Sequence, residues 1–356
     1  MDIEKVDKNF VKEELVQSDD KKCYTLPCKE FDLYGVFYDE KREKFMRMDG
    51  DLAESVSEAI GCLAGNTSGG RIRFSTDAIK IGIAVEYNGF RRMPHMPLTG
   101  SSGFVLLEKI GNDYKLIATF RPNYDEESGY TGETLLEGKK KREFVLYFPL
   151  YNEVKSLKIY LDKEAKLYEA EKYLDRKPIL YYGTSIEQGA CASRPDCSYP
   201  AMISKWNNID FINLGLSGNA KGETAIAEYL TKIDCSLFFF GYDGNAPGVE
   251  YLRNTHFPFY QTYRKVRPNV PIVFMSIASF DKYPNASASR QVIIESYNRA
   301  VEQGDKNVYF VDGKTVFGKK DREICTVEGI HPNDLGFYRI AKVVYELFER
   351  IYKNCP

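Results

Sequence analysis

Four residues far apart in the chain have the types needed to break an acyl bond: Ser185, Gly218, Asn245 and His331. A serine hydroxyl is a poor nucleophile until a base takes its proton, and histidine is the side chain best matched to that task near neutral pH. Gly218 offers a backbone N–H that an oxyanion can approach closely, and Asn245 offers a neutral amide donor. Each alone is unspecific. A serine after a strand commonly caps a helix, Asn245 and Gly218 also suit turns, and His331-Pro332-Asn333-Asp334 also fits a loop before a helix N-cap.

Their placement along the chain is what joins them. Ile179 to Tyr182 is a β-prone run that stops at Gly183, and Ser185 follows two residues later in Gly183-Thr184-Ser185-Ile186-Glu187-Gln188-Gly189. Further apolar runs predict strands at Phe211 to Leu214, Leu237 to Phe240, Ile272 to Met275 and Val308 to Val311. Helical patterns lie at Tyr199 to Trp206, Glu223 to Lys232, Pro258 to Arg267, Ser289 to Gln303 and Leu335 to Tyr352. Strands alternating with helices predict an α/β domain with a five-stranded parallel sheet in three layers, because right-handed crossovers put helices on both faces. Gly218 and Asn245 follow the second and third of these strands and His331 precedes the last helix. All four residues thereby fall on the carboxyl edge of one sheet, where open α/β sheets bind ligands.

The preceding part has a different texture. From Glu30 to Leu161 the pattern is β throughout, as in the alternation of Ile79, Ile81, Ile83 and Val85, of Leu116, Ala118 and Phe120, and of Leu157, Ile159 and Leu161. Phe144 to Phe148 is a continuous apolar run, and turn residues separate the runs at Gly69-Gly70, Asn88-Gly89 and Gly111-Asn112-Asp113. This spacing predicts an antiparallel β-sandwich of the jelly-roll kind. A charged connector, partly helical, is expected from Asp162 to Lys177, so residues 1–177 form the β-sandwich domain with its connector and residues 178–356 the α/β domain.

Lysine plus arginine number 49 against 51 aspartates plus glutamates, so no strong field recruits nucleic acid or an anionic membrane. No run approaches the roughly eighteen apolar residues of a membrane span, and the charged amino terminus has no signal-peptide core, so a cytoplasmic protein is expected. The cysteines, Cys23, Cys28, Cys62, Cys191, Cys197, Cys235, Cys325 and Cys355, lack the paired spacing of a zinc site, and they are expected to be reduced thiols, with Cys191 and Cys197 close enough in sequence to close a small loop. The histidines His95 and His256 have no chemical company and are expected to be structural or at the surface. No metal or organic cofactor is expected.

Four segments resemble the blocks of the SGNH hydrolases, also called GDSL-like esterases and acylhydrolases: Gly183-Thr184-Ser185-Ile186, Leu216-Ser217-Gly218-Asn219, Gly244-Asn245 and Glu328-Gly329-Ile330-His331-Pro332-Asn333-Asp334-Leu335-Gly336. Phe31-Asp32-Leu33-Tyr34 and Pro97-Leu98-Thr99-Gly100-Ser101-Ser102-Gly103-Phe104 resemble the β domain that precedes the hydrolase in one subgroup. The resemblance implies a flavodoxin-like α/β/α fold, Ser185 as nucleophile, His331 as base and an oxyanion hole from the N–H groups of Ser185 and Gly218 and the amide of Asn245. The chain departs from the pattern with Thr184 before the serine, Ala246 after Asn245 and Glu328 where the family has aspartate three residues before the histidine. Either Glu328 or a backbone carbonyl would orient His331. Arg194, Tyr242 and Asp243, and more weakly Trp206, are candidates to shape the pocket.

Two-domain members with a jelly-roll followed by this fold remove acetyl groups from plant polysaccharide fragments. The implied function is therefore a serine esterase acting on small acyl esters, foremost O-acetyl groups of a sugar or oligosaccharide. Its implied partners are that ester substrate alone and a second copy of the chain if the cleft is shared. A lipid or thioester acylhydrolase is the enzymatic alternative, and a carbohydrate-binding protein with a degenerate hydrolase domain the non-enzymatic one, for which Glu328 is the sequence argument.

Overall fold

Five parallel strands, in the spatial order Phe211–Gly215, Ile179–Gly183, Leu237–Gly241, Ile272–Met275 and Val308–Val311, form the sheet of the carboxyl-terminal half in the computed structural model. The structure describes residues 6, 7, 15, 20–174 and 176–354; Cys355 lies outside them. Each strand splits its side chains between two apolar layers. Ile179 and Tyr181 join Phe211, Phe239 and Val273 on one face, whereas Leu180 and Tyr182 join Leu214, Phe238, Phe240 and Phe274 on the other. Burial on both faces is why the strands read as unbroken apolar runs. The helices Tyr199–Asn207 and Asp334–Asn354 cover the first face, and Thr224–Leu230, Val249–Val266 and Ala286–Glu302 cover the second. The strand order reverses beside Ile179–Gly183, and such a switch point opens a crevice at the carboxyl ends.

Two larger antiparallel sheets and a two-stranded one, Phe37–Asp39 with Lys44–Met46, build the amino-terminal domain among the described residues. One of the larger sheets has the order Lys21–Thr25, Val154–Asp162, Lys80–Tyr87 and Gly129–Leu135, and the other has Leu167–Tyr168, Arg71–Thr76, Arg142–Tyr147, Phe104–Ile110 and Asp113–Phe120, with Asp32–Tyr34 also paired to Arg71–Thr76. Ile81, Ile83, Leu157 and Ile159 of the first sheet share a core with Ile72, Phe74, Leu106 and Leu146 of the second. The second sheet is buried on its far face too, since Val105, Leu107, Val145 and Tyr147 enter the core that contains Tyr199 and Phe211. That double burial explains the unbroken run Phe144 to Phe148, and it makes this sheet a wall common to both domains.

Buried arginines reinforce the wall. Arg71 lies with its guanidinium 4.1 Å from the Phe211 ring centroid, donates to the Phe211 carbonyl at 3.2 Å and pairs with Asp210. Arg47 donates to the carbonyls of Asn213 and Gly215, each at 2.9 Å, and to that of Leu63 at 2.7 Å. Burial pushes its pKa down to about 10.

Three expectations need correction. The region from Glu30 to Leu161 is not β throughout, because helices Gly50–Val56 and Glu58–Ala64 interrupt it. Asp49 caps the first by accepting from Leu52 N at 2.9 Å and Ser57 caps the second by accepting from Ile60 N at 3.1 Å. At seven residues each they are too short to show a helical period, and Ala53, Ile60, Leu63 and Ala64 are apolar because they pack on the α/β domain. The connector holds a short strand, Leu167–Tyr168, rather than a helix. The helix expected from Pro258 begins at Val249, so Pro258 sits inside it instead of at its first turn.

Candidate active site

The turn that presents Ser185 is fixed by a capping box. Thr184 is the N-cap of the short helix Ser185–Gln188, its hydroxyl accepting from Ile186 N at 3.1 Å, while the Glu187 carboxylate accepts from Thr184 N at 2.6 Å. Glu187 also accepts from the Tyr199 hydroxyl at 3.0 Å. This carboxylate is wholly enclosed, and burial pushes its pKa up from the ordinary value against those hydrogen bonds. Gly189, at φ +100°, ends the helix in the left-handed conformation that glycine adopts without strain.

His331 reaches the same point from the loop before the last helix. Its Nε2 lies 2.9 Å from Ser185 Oγ, and its Nδ1 is hydrogen-bonded to Glu328 Oε1. With a carboxylate at Nδ1, the proton sits there and Nε2 is left to accept from the serine. The added methylene of glutamate is absorbed by a tight loop: Thr326 pairs with Pro332, Val327 N donates to His331 O at 2.9 Å, and Gly329 turns at φ +94°. Glu328 also accepts from the backbone N–H of His331 at 3.2 Å. Burial pushes the Glu328 carboxyl up, but its bonds to and charge interaction with His331 outweigh this and hold it below the ordinary glutamate value.

Gly218 stands at φ +69° in the loop after Phe211–Gly215, and Asn245 ends a turn after Leu237–Gly241. The Asn245 amide donates to the Leu216 carbonyl at 3.1 Å, so the two loops are tied together. At Gly218 a Cβ would meet no described protein atom within 4 Å, so within the fold itself glycine is called for by the positive φ. Close packing calls for glycine at Gly215, where a Cβ would lie 2.1 Å from Gln188 N.

A cleft of about 390 Å³ opens beside His331, lined by Ser217, Asn219 and Ala190 of the α/β domain and by Leu63, Arg91, Met93, His95 and Tyr151 of the β domain. His95, expected to be structural or at the surface, is exposed, and its ring centroid lies 5.7 Å from that of His331. The histidines are 236 positions apart, a separation no local pattern spans; the one available signal was that His95 stands just before the Pro97 block. Cys191 is also brought here, its thiol 3.3 Å from the His95 carbonyl. Cys191 and Cys197 are free thiols.

The expected pocket residues are placed elsewhere. Tyr242 is fully buried in the core and donates to Thr255 Oγ1 at 3.0 Å. Asp243 is buried and accepts from Ile277 N at 2.9 Å. Burial pushes its carboxyl up to about 7, against the favourable N–H of Ile277 and together with the charge of Glu187. Arg194 is held by Asp196 at 3.0 and 3.3 Å, and Trp206 packs edge-on against Tyr338 and Tyr345. His256 is enclosed, and burial depresses its pKa to about 3, so it is a neutral core residue. Among the described residues no helix is long and apolar enough to cross a membrane.

The fold and the strand-end blocks define an α/β/α hydrolase of the SGNH type. Residues 176–349 match the model of the GDSL-like lipase/acylhydrolase family and residues 24–167 match that of the N-terminus of SGNH-hydrolase-type esterases, so the chain belongs to this family with its amino-terminal domain. A GDSL-like lipase structure from Bacteroides ovatus is similar at 28% identity and a TM-score of 0.83, over 93% of this chain and 98% of that one. The salicylyl-acyltransferase SsfX3 from a tetracycline biosynthetic pathway shares the fold at 18% identity and a TM-score of 0.74, over 95% and 99% of the two chains. A family two carbohydrate esterase from Clostridium thermocellum shares it at 15% identity and 0.60, over 80% and 93%. Among curated proteins none matches.

Proposed function

We propose that the protein is a serine esterase that hydrolyses small acyl esters, foremost O-acetyl esters of carbohydrates. The observation that carries this reading is the hydrogen-bonded chain Ser185–His331–Glu328, whose His331 lines the cleft. As the Ser185 oxygen attacks the ester carbonyl, its proton passes to His331 Nε2, and Glu328 stabilises the imidazolium. The N–H groups of Ser185 and Gly218 and the Asn245 amide receive the oxyanion. His331 then protonates the leaving alcohol, and a water activated by the same nitrogen releases the acid from the acyl-enzyme. The modest cleft and the polar groups of Arg91, His95, Ser217 and Asn219 along it suit a short acyl group on a polar alcohol better than a long acyl chain. The fold shared with a carbohydrate esterase agrees with a sugar as that alcohol.

The test is acetate release from acetylated xylo- and manno-oligosaccharides, alongside p-nitrophenyl esters of increasing acyl length. Turnover of the acetyl substrates that collapses for long acyl chains, and that Ser185→Ala abolishes, supports the reading. Preference for long chains would replace it with a lipid acylhydrolase. Inertness of the wild type, together with no labelling of Ser185 by a fluorophosphonate, would point to a carbohydrate-binding protein.

A further inference from the structure

One nitrogen each of His95 and His331 and the thiol sulfur of Cys191 lie within 4.8 Å of one another. We propose that these three residues form a binding site for a thiophilic divalent cation, Zn²⁺ above all, and that the bound ion switches the Ser185 chemistry off. The binding claim stands by itself; the inhibition rests on the proposed esterase reading.

Two imidazoles and a thiolate are the donor set that zinc favours, with one further tetrahedral position left for water. In a tetrahedral site such donors stand about 3.3–3.8 Å apart, given bonds of about 2.0–2.3 Å, so the three atoms have roughly 1 Å to close. His95 can supply that movement. It is exposed, and among the described residues its ring makes no hydrogen bond, while its backbone is held by the buried side chain of Met96; the bond from the Cys191 thiol to its carbonyl is given up when the thiol loses its proton. The ends of the site are thus anchored and its exposed imidazole is free to rotate in.

His331 supplies the connection to catalysis. Its Nδ1 is held by Glu328, which leaves Nε2 as the ligand nitrogen, and a carboxylate behind a coordinating histidine is the usual support for a zinc ligand. That same Nε2 lies 2.9 Å from Ser185 Oγ. One lone pair cannot bind an ion and accept the serine proton, so occupancy and turnover exclude each other. On binding, the Cys191 S–H bond breaks, its proton passes to solvent and a metal–sulfur bond forms, with no change of oxidation state.

The experiment titrates the metal-free full-length protein with Co²⁺, read by its near-ultraviolet thiolate-to-cobalt charge-transfer band, and with Zn²⁺, read by the rate of Ser185 labelling with a fluorophosphonate. The expected result is a charge-transfer band at one equivalent of Co²⁺, displaced by Zn²⁺, and Zn²⁺ protection of Ser185. His95→Ala and Cys191→Ala should each raise the protecting Zn²⁺ concentration at least tenfold relative to the wild type. Cys62→Ser, which removes the thiol that lines the cleft, should leave it unchanged. Absence of the charge-transfer band in the wild type overturns the proposal without any variant needing to fold. So does protection that survives both His95→Ala and Cys191→Ala. If the band forms but Ser185 is inert to the probe even without metal, the site stands and the esterase reading fails.

Discussion

Gln188 and Ser217 are joined directly: the Ser217 N–H donates to Gln188 Oε1 at 3.0 Å, and the same amide donates through Nε2 to Asn66 Oδ1 at 3.0 Å and to the Leu150 carbonyl at 3.2 Å. One buried side chain therefore links the helix that starts at Ser185, the loop that carries Gly218 and the β domain. The β domain acts on the site through such bonds, and Ser68 adds another by donating to the Gln188 carbonyl at 2.6 Å. Replacing Gln188 with leucine leaves Asn66 Oδ1 and the Leu150 carbonyl unpaired in a buried setting, at about 1–3 kcal/mol each, and Ser217 N unpaired in a half-buried one. The expected outcome is a lower thermal midpoint and a fall of kcat by about tenfold with KM little changed, because the proposed oxyanion donor at Gly218 is displaced rather than a substrate contact. An unchanged kcat would show that the loop holds its place without Gln188.

Ser185→Ala should lower kcat by about four orders of magnitude or more, since the proposed nucleophile is lost. Glu328→Gln should cost less, on the order of a hundredfold, because Glu328 is partly open to solvent, with 39% of its side chain exposed, and water can support the imidazolium in its place. Steady-state rates on p-nitrophenyl acetate decide this. Equal losses in the two variants would mean that the acid is as indispensable as the serine.

Two glycines should respond in opposite ways. At Gly215 an added Cβ would lie 2.1 Å from the backbone nitrogen of Gln188, which cannot move without displacing the nucleophile helix. Gly215→Ala should therefore yield little folded protein. Gly218→Ala meets no neighbour and bears only the strain of φ +69°, about 1 kcal/mol, so it should fold and lose activity modestly. Soluble yield and thermal midpoint separate the two, and a well-folded Gly215→Ala would refute the steric argument.

Among the described residues Arg47 is enclosed with three backbone carbonyls and no carboxylate. Truncation to methionine would strand the carbonyls of Asn213, Gly215 and Leu63, and the loss should reach several kcal/mol in chemical denaturation. Arg47→Lys should not restore it, since a single ammonium cannot reproduce the planar fork. Full rescue by lysine would show that charge alone is required.

The parallel sheet was legible in the sequence because its strands are buried on both faces and end at glycines or polar turns; the expected run Ile179 to Tyr182 differs from the observed strand by one residue. The turn that carries Ser185 was legible for the same reason, and the Thr184–Glu187 spacing additionally encodes its capping box. What escaped depends on contacts between distant segments. Helices Gly50–Val56 and Glu58–Ala64 exist as packing against the α/β domain, and helix Val249–Val266 carries a proline that local rules place at a first turn. His95, on the loop between strands Lys80–Tyr87 and Phe104–Ile110, joins His331 across the contact between the two domains, where Met96 shares a core with Ala190 and Cys191, and Tyr242 and Asp243, adjacent in sequence to a site loop, point into the core.

Asp243 gives stability a distinct pH dependence. Its carboxyl is raised to about 7 in the fold from an ordinary value near 3.8, chiefly by burial, so between these values the folded state binds a proton that the unfolded state has released. Stability should therefore fall as pH rises from about 4 to about 7 and level off above, by an amount on the order of a few kcal/mol. Glu187, also raised by burial, adds to the fall with the same sign. Asp243→Asn keeps an oxygen for the Ile277 N–H and removes the ionisation. In urea denaturation the variant should be close to the wild type at pH 5 and gain on it at pH 8. A stability difference that is the same at both pH values would mean that the carboxyl ionises without cost, through hydration that its burial against Ile277 does not provide.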